Sequence, residues 1–229
     1  MSKKFTLILL LTLIMVCVAA AGSSAEMVKV ARILNMLEFH SGYAQPIGTY
    51  DRIYGILFLD SRQNLVDLDA DEVYDAGYYF GFSYGQLRAR HFMFSLGFRW
   101  THVNTLDTFW TEADYGWSYS PETPTFNQYD LDFNLNYYFF SPERTVVSPF
   151  AGLGFHAGIT SISGDLIETE NETALGIGIN FGADLNIWRS GGGRSFFALS
   201  SVNEWVLAAA AERPRYLNFG AAIKYYFRP

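Results

Sequence analysis

The chain has 229 residues, a formal net charge of −7, one cysteine and an aromatic content of 17%. This length suits one large domain or two small ones, and the acidic charge argues against binding to nucleic acid. Beyond residue 25 no apolar run is long enough for a transmembrane helix, although the aromatic content is high for a soluble secreted protein.

Residues 1–25 have the organisation of a secretory signal peptide. Two lysines precede an apolar run over 5–21, and Ser23 and Ala25 resemble a small-x-small cleavage site. We therefore expect a signal peptide over 1–25 and a mature domain over 26–229; an uncleaved anchor helix is disfavoured because the run is short for a membrane span. Cleavage would leave 14 basic and 23 acidic residues, a net charge of −9, and no cysteine. Thiol chemistry and cysteine metal sites are then excluded.

Alternation of apolar residues with Gly, Ser, Asn and Asp predicts β-strands throughout the mature domain. The segment 173–188 is typical, because seven apolar residues alternate there with glycine, asparagine and aspartate. The seventh strand alternates poorly, and a β-bulge near Ser200 and Ser201 would explain this. In chain order the eight predicted strands are Ile33–Tyr43, Gly77–Leu87, His91–Val103, Asn127–Phe140, Ser148–Ser161, Thr173–Trp188, Ser195 to about Val206, and Arg215–Phe227.

The connections between these strands alternate in length. Short links at 88–90, 141–147 and 189–194 alternate with longer ones at 44–76, 104–126 and 162–172, and with a further link at about 207–214. Up-and-down hairpins with short turns at one end and long loops at the other are typical of an outer-membrane barrel. The segment 52–60 could form a ninth strand, but an odd count would place one terminus on the wrong side, and we interpret it as part of the first loop. The predicted fold is an all-β, eight-stranded antiparallel up-and-down transmembrane β-barrel.

The chemistry of the two faces decides between a membrane barrel and a soluble, lipocalin-like barrel. The polar face carries few of the long Lys and Glu side chains that a water-exposed wall normally has. We therefore predict that the apolar face meets lipid and the polar face lines the lumen. Glycines on the fifth and sixth strands would leave room inside for Arg99, His156 and Tyr226, while Trp100 and Trp188 would belong to aromatic girdles.

Buried charges require partners, and two pairs can be assigned from strand order. Arg99 and Asp132 lie in neighbouring strands, and Lys224 can meet Glu38 where the last strand closes on the first. We predict both contacts in a dry, plugged lumen without large steady conductance.

Three segments resemble the eight-stranded OmpA/OmpX/OmpW-type outer-membrane barrels of Gram-negative bacteria. They are "LEFHSGYAQPIGTYDRIYG", "SPFAGLGFHAG" and "NFGAAIKYYF". The resemblance implies location in the cell outer membrane, contact with its lipid and lipopolysaccharide, and insertion by the barrel-assembly machinery. In the last segment, Asn218, Gly220, Ile223 and Tyr225 match the assembly signal. The family usually ends on the aromatic residue, whereas here two further residues follow Phe227.

Two motifs imitate cofactor or metal sites without meeting their requirements. "GLGFHAG" (152–158) lacks the helix that a dinucleotide fingerprint needs, and we interpret its glycines as strand residues. "DLDADE" (67–72) has Glu72 at the sixth EF-hand position, which requires glycine, and Tyr78 at the twelfth, which requires glutamate. A looser divalent-cation site and a solvated acidic loop both remain open there. No cofactor, metal ligand or catalytic residue is assigned.

The two ends of the predicted barrel differ in charge. The long loops are acidic, whereas the short turns carry five arginines against Glu143 alone. The acidic rim would share divalent cations with lipopolysaccharide phosphates, or serve only to keep the loops soluble. In the second long loop, Phe109, Trp110, Tyr115, Trp117 and Tyr119 would anchor a partner or sit among lipid headgroups.

The histidines argue against catalysis. His40 and Ser41 are adjacent and so face opposite sides of a strand, His102 lacks an evident serine partner, and we interpret His156 as a packed lumen residue. The predicted function is therefore structural or interactive, stabilising the envelope or presenting loops. The alternatives are a narrow channel for small or apolar solutes and, with less support, a lipid-modifying barrel enzyme.

Overall fold

The computed structural model describes residues 33–50, 52–53, 56–57, 68–70, 74–104, 125–164, 167–208 and 215–228. The predicted signal peptide, residues 67, 71 and 72 of the acidic segment 67–72, and the aromatic loop residues 105–124 lie outside these ranges. Within them, no helix is long and apolar enough to cross a membrane.

Eight long strands form one closed antiparallel barrel. Each strand pairs with its neighbours in the sequence, and β1 also pairs with β8 to close the cylinder, with Glu38 opposite Lys224. The predicted fold class is therefore confirmed. The strands are β1 (Leu34–Ile47), β2 (Gly77–Arg88), β3 (Phe92–Asn104), β4 (Thr125–Tyr138), β5 (Val147–Gly164), β6 (Ile167–Arg189), β7 (Ser195–Ala208) and β8 (Arg215–Phe227).

The described residues of the segment 52–60 do not join the barrel sheet, in agreement with the prediction that they belong to the first loop. Its described residues form a two-residue pairing between Arg52–Ile53 and Ile56–Leu57, and a similar short pairing joins Thr49–Tyr50 to Leu68–Asp69. Neither pairing is hydrogen-bonded to the barrel sheet. Both belong to the connection between β1 and β2.

Two details of the strand predictions are wrong. The loop predicted over 162–172 is mostly strand, because β5 stays paired with β4 as far as Ser163, and β6 pairs with β5 from Ile167, well before its first pair with β7 at Gly176. The apolar alternation that located the sixth strand stops at residue 173, since a wall that has left the membrane does not need an apolar face.

The predicted bulge is also in the wrong strand. Ser200 and Ser201 pair regularly with β6, and the irregularity lies at Ile187, between the paired residues Asn186 and Trp188. The seventh strand alternates poorly for another reason. Its inner face carries apolar residues such as Phe196, while its outer face includes the polar Ser201.

The distribution of side chains is inverted relative to that of a soluble protein. Large apolar residues are exposed along the outer wall, including Leu96 and Leu131 at 62% and 60% exposure. Charged residues are buried inside, including Arg99 and Lys224. This arrangement suits a barrel whose outer wall meets hydrocarbon, and it confirms the predicted orientation of the faces.

Aromatic residues ring the outer wall near both ends, as predicted for girdles. Trp100 packs edge-on against Tyr78 near the long-loop end, with ring centroids 5.5 Å apart. At the opposite end, Trp188 contacts Phe197, which in turn contacts Tyr225 at 4.8 Å. Rings that are apolar on one side and polar on the other favour the boundary between membrane and water.

An apolar cluster closes the lumen at the short-turn end. Its members are all buried and come from β1, β2, β3, β4, β5, β7 and β8. The members are Leu34, Met36, Leu87, Met93, Tyr138, Phe150, Phe196, Ala198 and Tyr226. The polar part of the lumen therefore lies above a packed apolar floor.

The turn between β2 and β3 places residues with a Cβ atom at positions where the backbone φ angle is positive. Ala89 and Arg90 have φ values of 50° and 68°, and His91 N–H donates to the carbonyl of Arg88. A β-turn whose two central residues both have positive φ values favours Asn and Gly at those positions. We expect Ala89→Asn combined with Arg90→Gly to raise the free energy of unfolding by about 1 kcal/mol, measured by urea denaturation of the folded barrel. A decrease would contradict this turn geometry.

Candidate functional site

The centre of the lumen holds a group of ion pairs built around Arg99 of β3. This arginine cluster consists of Arg99, Asp130, Asp132, His156 and Glu204, each at most 5% exposed. Arg99 Nη2 lies 3.5 Å from Asp132 Oδ1 and 3.8 Å from Asp130 Oδ2, and Nη1 contacts Glu204 Oε2. The predicted pair between Arg99 and Asp132 is confirmed, with two further carboxylates on the same guanidinium.

His156 bridges two of these carboxylates. Its Nδ1 lies 2.6 Å from Asp132 Oδ1, and its Nε2 lies 2.9 Å from Glu204 Oε1. The imidazole therefore links β5 to β4 on one side and to β7 on the other. This confirms the interpretation of His156 as a packed lumen residue.

A second group lies nearer the short-turn end, around Lys224 of β8. This lysine cluster consists of Glu38, Tyr138, Asp184, Lys224 and Tyr226. Lys224 Nζ lies 2.9 Å from Asp184 Oδ1 and 3.4 Å from Glu38 Oε2, so the predicted pair with Glu38 is confirmed. The hydroxyls of Tyr138 and Tyr226 both donate to Asp184 Oδ2. Asp184 thus receives three donors and is satisfied without water.

A small polar cavity of about 40 Å³ touches both clusters. This volume holds roughly three water molecules, at about 10–15 Å³ for each. The hydroxyl of Tyr79 and the amide oxygens of Asn136 and Asn218 belong to its lining and have no hydrogen-bond partner among the described residues. Water in this cavity would satisfy them.

Closure of the sheet, an apolar outer wall and paired charges inside together decide the architecture. The chain folds as an eight-stranded antiparallel transmembrane β-barrel. Its wall has the two chemically distinct faces that such a barrel requires.

Comparison with known proteins adds no function to the barrel. No protein-family model matches the chain, and no curated protein matches it. Three solved structures are similar at low identity. Ail, the attachment invasion locus protein of Yersinia pestis, is 12% identical with a TM-score of 0.48, covering 86% of this chain and 100% of Ail. Neisserial surface protein A is 12% identical with a TM-score of 0.48, covering 86% and 98%.

The third is the outer membrane protein OprG from Pseudomonas aeruginosa, which is 11% identical with a TM-score of 0.47, covering 85% of this chain and 96% of OprG. Similarity at this level concerns the barrel fold alone. The assignment of the fold rests on the pairing and the faces of this chain, and no functional residue is transferred from these proteins.

Glycines of β5 and β6 make room for the arginine cluster. A Cβ atom on Gly154 would lie 2.8 Å from Glu204 Oε1 and 3.0 Å from His156 Nε2, and one on Gly178 would lie 2.7 Å from His156 Nε2. These glycines therefore face a crowded interior, which explains glycine in strands that otherwise favour β-branched residues.

Replacing Gly178 by valine should lower the free energy of unfolding by about 1–3 kcal/mol, because the new side chain overlaps Glu204 and His156. Urea denaturation followed by tryptophan fluorescence would measure this. Gly191→Val is the matched control, since an added Cβ there meets nothing within 4 Å. Equal effects of the two substitutions would contradict the crowded lumen.

His40 and His102 are the other two histidines considered for catalysis. His40 faces the lumen, where its Nδ1 lies 2.8 Å from Glu38 Oε1, while the adjacent Ser41 is exposed on the outer wall. His102 lies on the outer wall, with its Nδ1 3.0 Å from Asn127 Oδ1. The residues considered for nucleophilic catalysis are therefore not brought together, and the absence of catalysis stays a prediction.

Sequence reasoning missed Glu204 and Asp184 as partners of the buried cations. Glu204 lies on β7, whose weak alternation hid the inner face. Counting inward positions in steps of two from Phe196 reaches Glu204 and would have found it. Asp184 lies on the predicted polar face of β6. It meets Lys224 of β8 although the two strands are not neighbours, because β7 lies between them.

Proposed function

We propose that the protein is a non-conducting barrel of the outer membrane that acts through its two ends rather than through its lumen. The observation that carries this proposal is the filling of the lumen by the arginine cluster, the lysine cluster and the apolar cluster. A narrow channel would need a continuous water path through these groups, and the polar cavity has room for only a few waters.

Cell fractionation combined with heat-modifiable gel mobility tests the placement in the membrane. We expect the protein in the outer-membrane fraction and an unboiled sample that migrates differently from the boiled one, because a closed barrel resists unfolding by detergent. Recovery in a soluble fraction, or identical mobility before and after boiling, would contradict the proposal.

Recordings in planar bilayers test the closed lumen. We expect no large steady conductance from the purified barrel, with a porin in the same bilayers as the positive control. Steady conductance would favour the alternative of a narrow channel for small or apolar solutes.

We also propose that the acidic long loops contact lipopolysaccharide through shared divalent cations. Most of the acidic residues concerned lie outside the described ranges, so the proposal is supported by their charge in the sequence. Removing divalent cations with a chelator should reduce co-purification of lipopolysaccharide with the barrel. Unchanged co-purification would leave solubility as the explanation of these charges.

A further inference from the structure

The short-turn end of the barrel carries a ring of exposed arginines. We call it the basic rim and define it as Arg88, Arg90, Arg144, Arg189 and Arg194, all exposed. Across the short turns and the described C-terminal residues the acid is Glu143, and it is paired with Arg228 at 3.1 Å. The five rim arginines therefore leave a strong positive charge at this end.

We propose that the basic rim binds the phosphate groups of anionic lipids in the leaflet that borders the short-turn end. The inference rests on the proposed membrane placement and goes beyond it, because it assigns a ligand class to one end of the barrel. Guanidinium groups match phosphate oxygens in charge and can bind them through two parallel hydrogen bonds.

The position of the arginines along the barrel axis suits lipid phosphates. Arg189 follows Trp188 in the sequence, and Trp188 is 51% exposed within the aromatic girdle at this end. The guanidinium of Arg189 lies 5.4 Å from the ring centroid of Phe196, a member of the apolar cluster, and so stands at the short-turn end of the lumen. Aromatic girdles mark the headgroup level, so charges immediately beyond the girdle lie where phosphates are found.

The arginines are distributed around most of the circumference. The turns that carry them join β2 to β3, β4 to β5 and β6 to β7. In the closed strand order these turns occupy three of the four strand junctions at this end, and β8 meets β1 at the fourth. Lipid surrounds the cylinder, so phosphate groups can reach the arginines of all three turns.

Two tryptophans provide reporters at opposite ends of the outer wall. Trp188 lies near the short-turn end, and Trp205 lies toward the far end of β7 and is 45% exposed. Two variants would each keep a single tryptophan, either Trp188 or Trp205, with every other tryptophan replaced by phenylalanine. Each variant would be folded into phosphatidylcholine vesicles. One set of vesicles would contain brominated phosphatidylglycerol, and the other set would contain the same proportion of brominated phosphatidylcholine. Bromine quenches the fluorescence of nearby tryptophan, so the two sets compare how much of each lipid lies beside the reporter.

We expect the quenching to report about three- to tenfold enrichment of phosphatidylglycerol beside Trp188 and none beside Trp205. The triple substitution Arg144→Gln, Arg189→Gln, Arg194→Gln should abolish the enrichment. Arg215→Gln, which removes an exposed arginine at the opposite end, is the matched control and should leave it unchanged. Raising salt to about 1 M shortens the screening length to about 3 Å. In the protein with the unsubstituted rim, this should weaken the enrichment of phosphatidylglycerol beside Trp188.

The outcomes distinguish a failure of the lipid inference from a failure of the proposed function. A barrel that folds into vesicles without enrichment beside Trp188, or with equal enrichment beside both tryptophans, would overturn the lipid inference and favour a soluble anionic partner. Enrichment that high salt leaves unchanged would also overturn it, even where the triple variant fails to fold. Failure of the parent protein to insert at all would instead overturn the proposed function.

Discussion

Replacing Arg99 by methionine should lower the free energy of unfolding by about 3–5 kcal/mol, the largest effect expected of a single substitution in this barrel. The arginine is the shared counter-charge of three buried carboxylates, those of Asp130, Asp132 and Glu204. Its removal leaves these charges uncompensated in a lumen where water has little room. Urea denaturation in detergent micelles, followed by tryptophan fluorescence, measures the change.

Two further variants isolate the cause of this loss. Arg144→Met at the exposed rim should change stability by less than about 0.5 kcal/mol, which controls for the removal of an arginine as such. Arg99→Met combined with Glu204→Met should cost less than the sum of the two single substitutions, because the pair is removed together. Simple additivity, or a small effect of Arg99→Met alone, would contradict the account of the arginine cluster.

Replacing Leu131 by arginine should lower the free energy of unfolding by about 2–4 kcal/mol in a lipid bilayer. Leu131 lies in the middle of β4 and is 60% exposed on the outer wall, where we expect hydrocarbon. A charge at this depth must leave water or distort the bilayer. The measurement is the midpoint of urea denaturation in vesicles.

Val146→Arg is the matched control for this substitution. Val146 is 66% exposed, but it lies in the turn between β4 and β5, where a charge can reach water. We expect a cost of about 0–1 kcal/mol there. If arginine were tolerated equally at both positions, the outer wall would not face hydrocarbon.

The sequence predicted the architecture because both faces of each strand have a distinct environment. The contrast on β4 between Leu131 or Phe133 and Asp132 or Asn134 identifies the strand and its inner face together. Where neither face has to be apolar, the alternation is lost and the prediction fails. Thus β6 begins at Ile167 rather than Thr173, since beyond the membrane neither face has to be apolar.

The interior contacts could be predicted only in part. Adjacent strands allowed the pairs of Arg99 with Asp132 and of Lys224 with Glu38 to be found from strand order alone. The link from Lys224 to Asp184 crosses the lumen between strands that do not pair with each other. It depends on side-chain length and on the width of the barrel, which alternation along a single strand does not report.

The outward orientation of the apolar face supports every proposal made for this protein. It is tested most directly by nitroxide labels on single cysteines at successive positions of β4, since the one natural cysteine lies in the predicted signal peptide. In vesicles, collisions with lipid-soluble oxygen should be frequent at 131, 133 and 135 and rare at 134 and 136. The reverse alternation, or accessibility without a period of two, would contradict a membrane barrel.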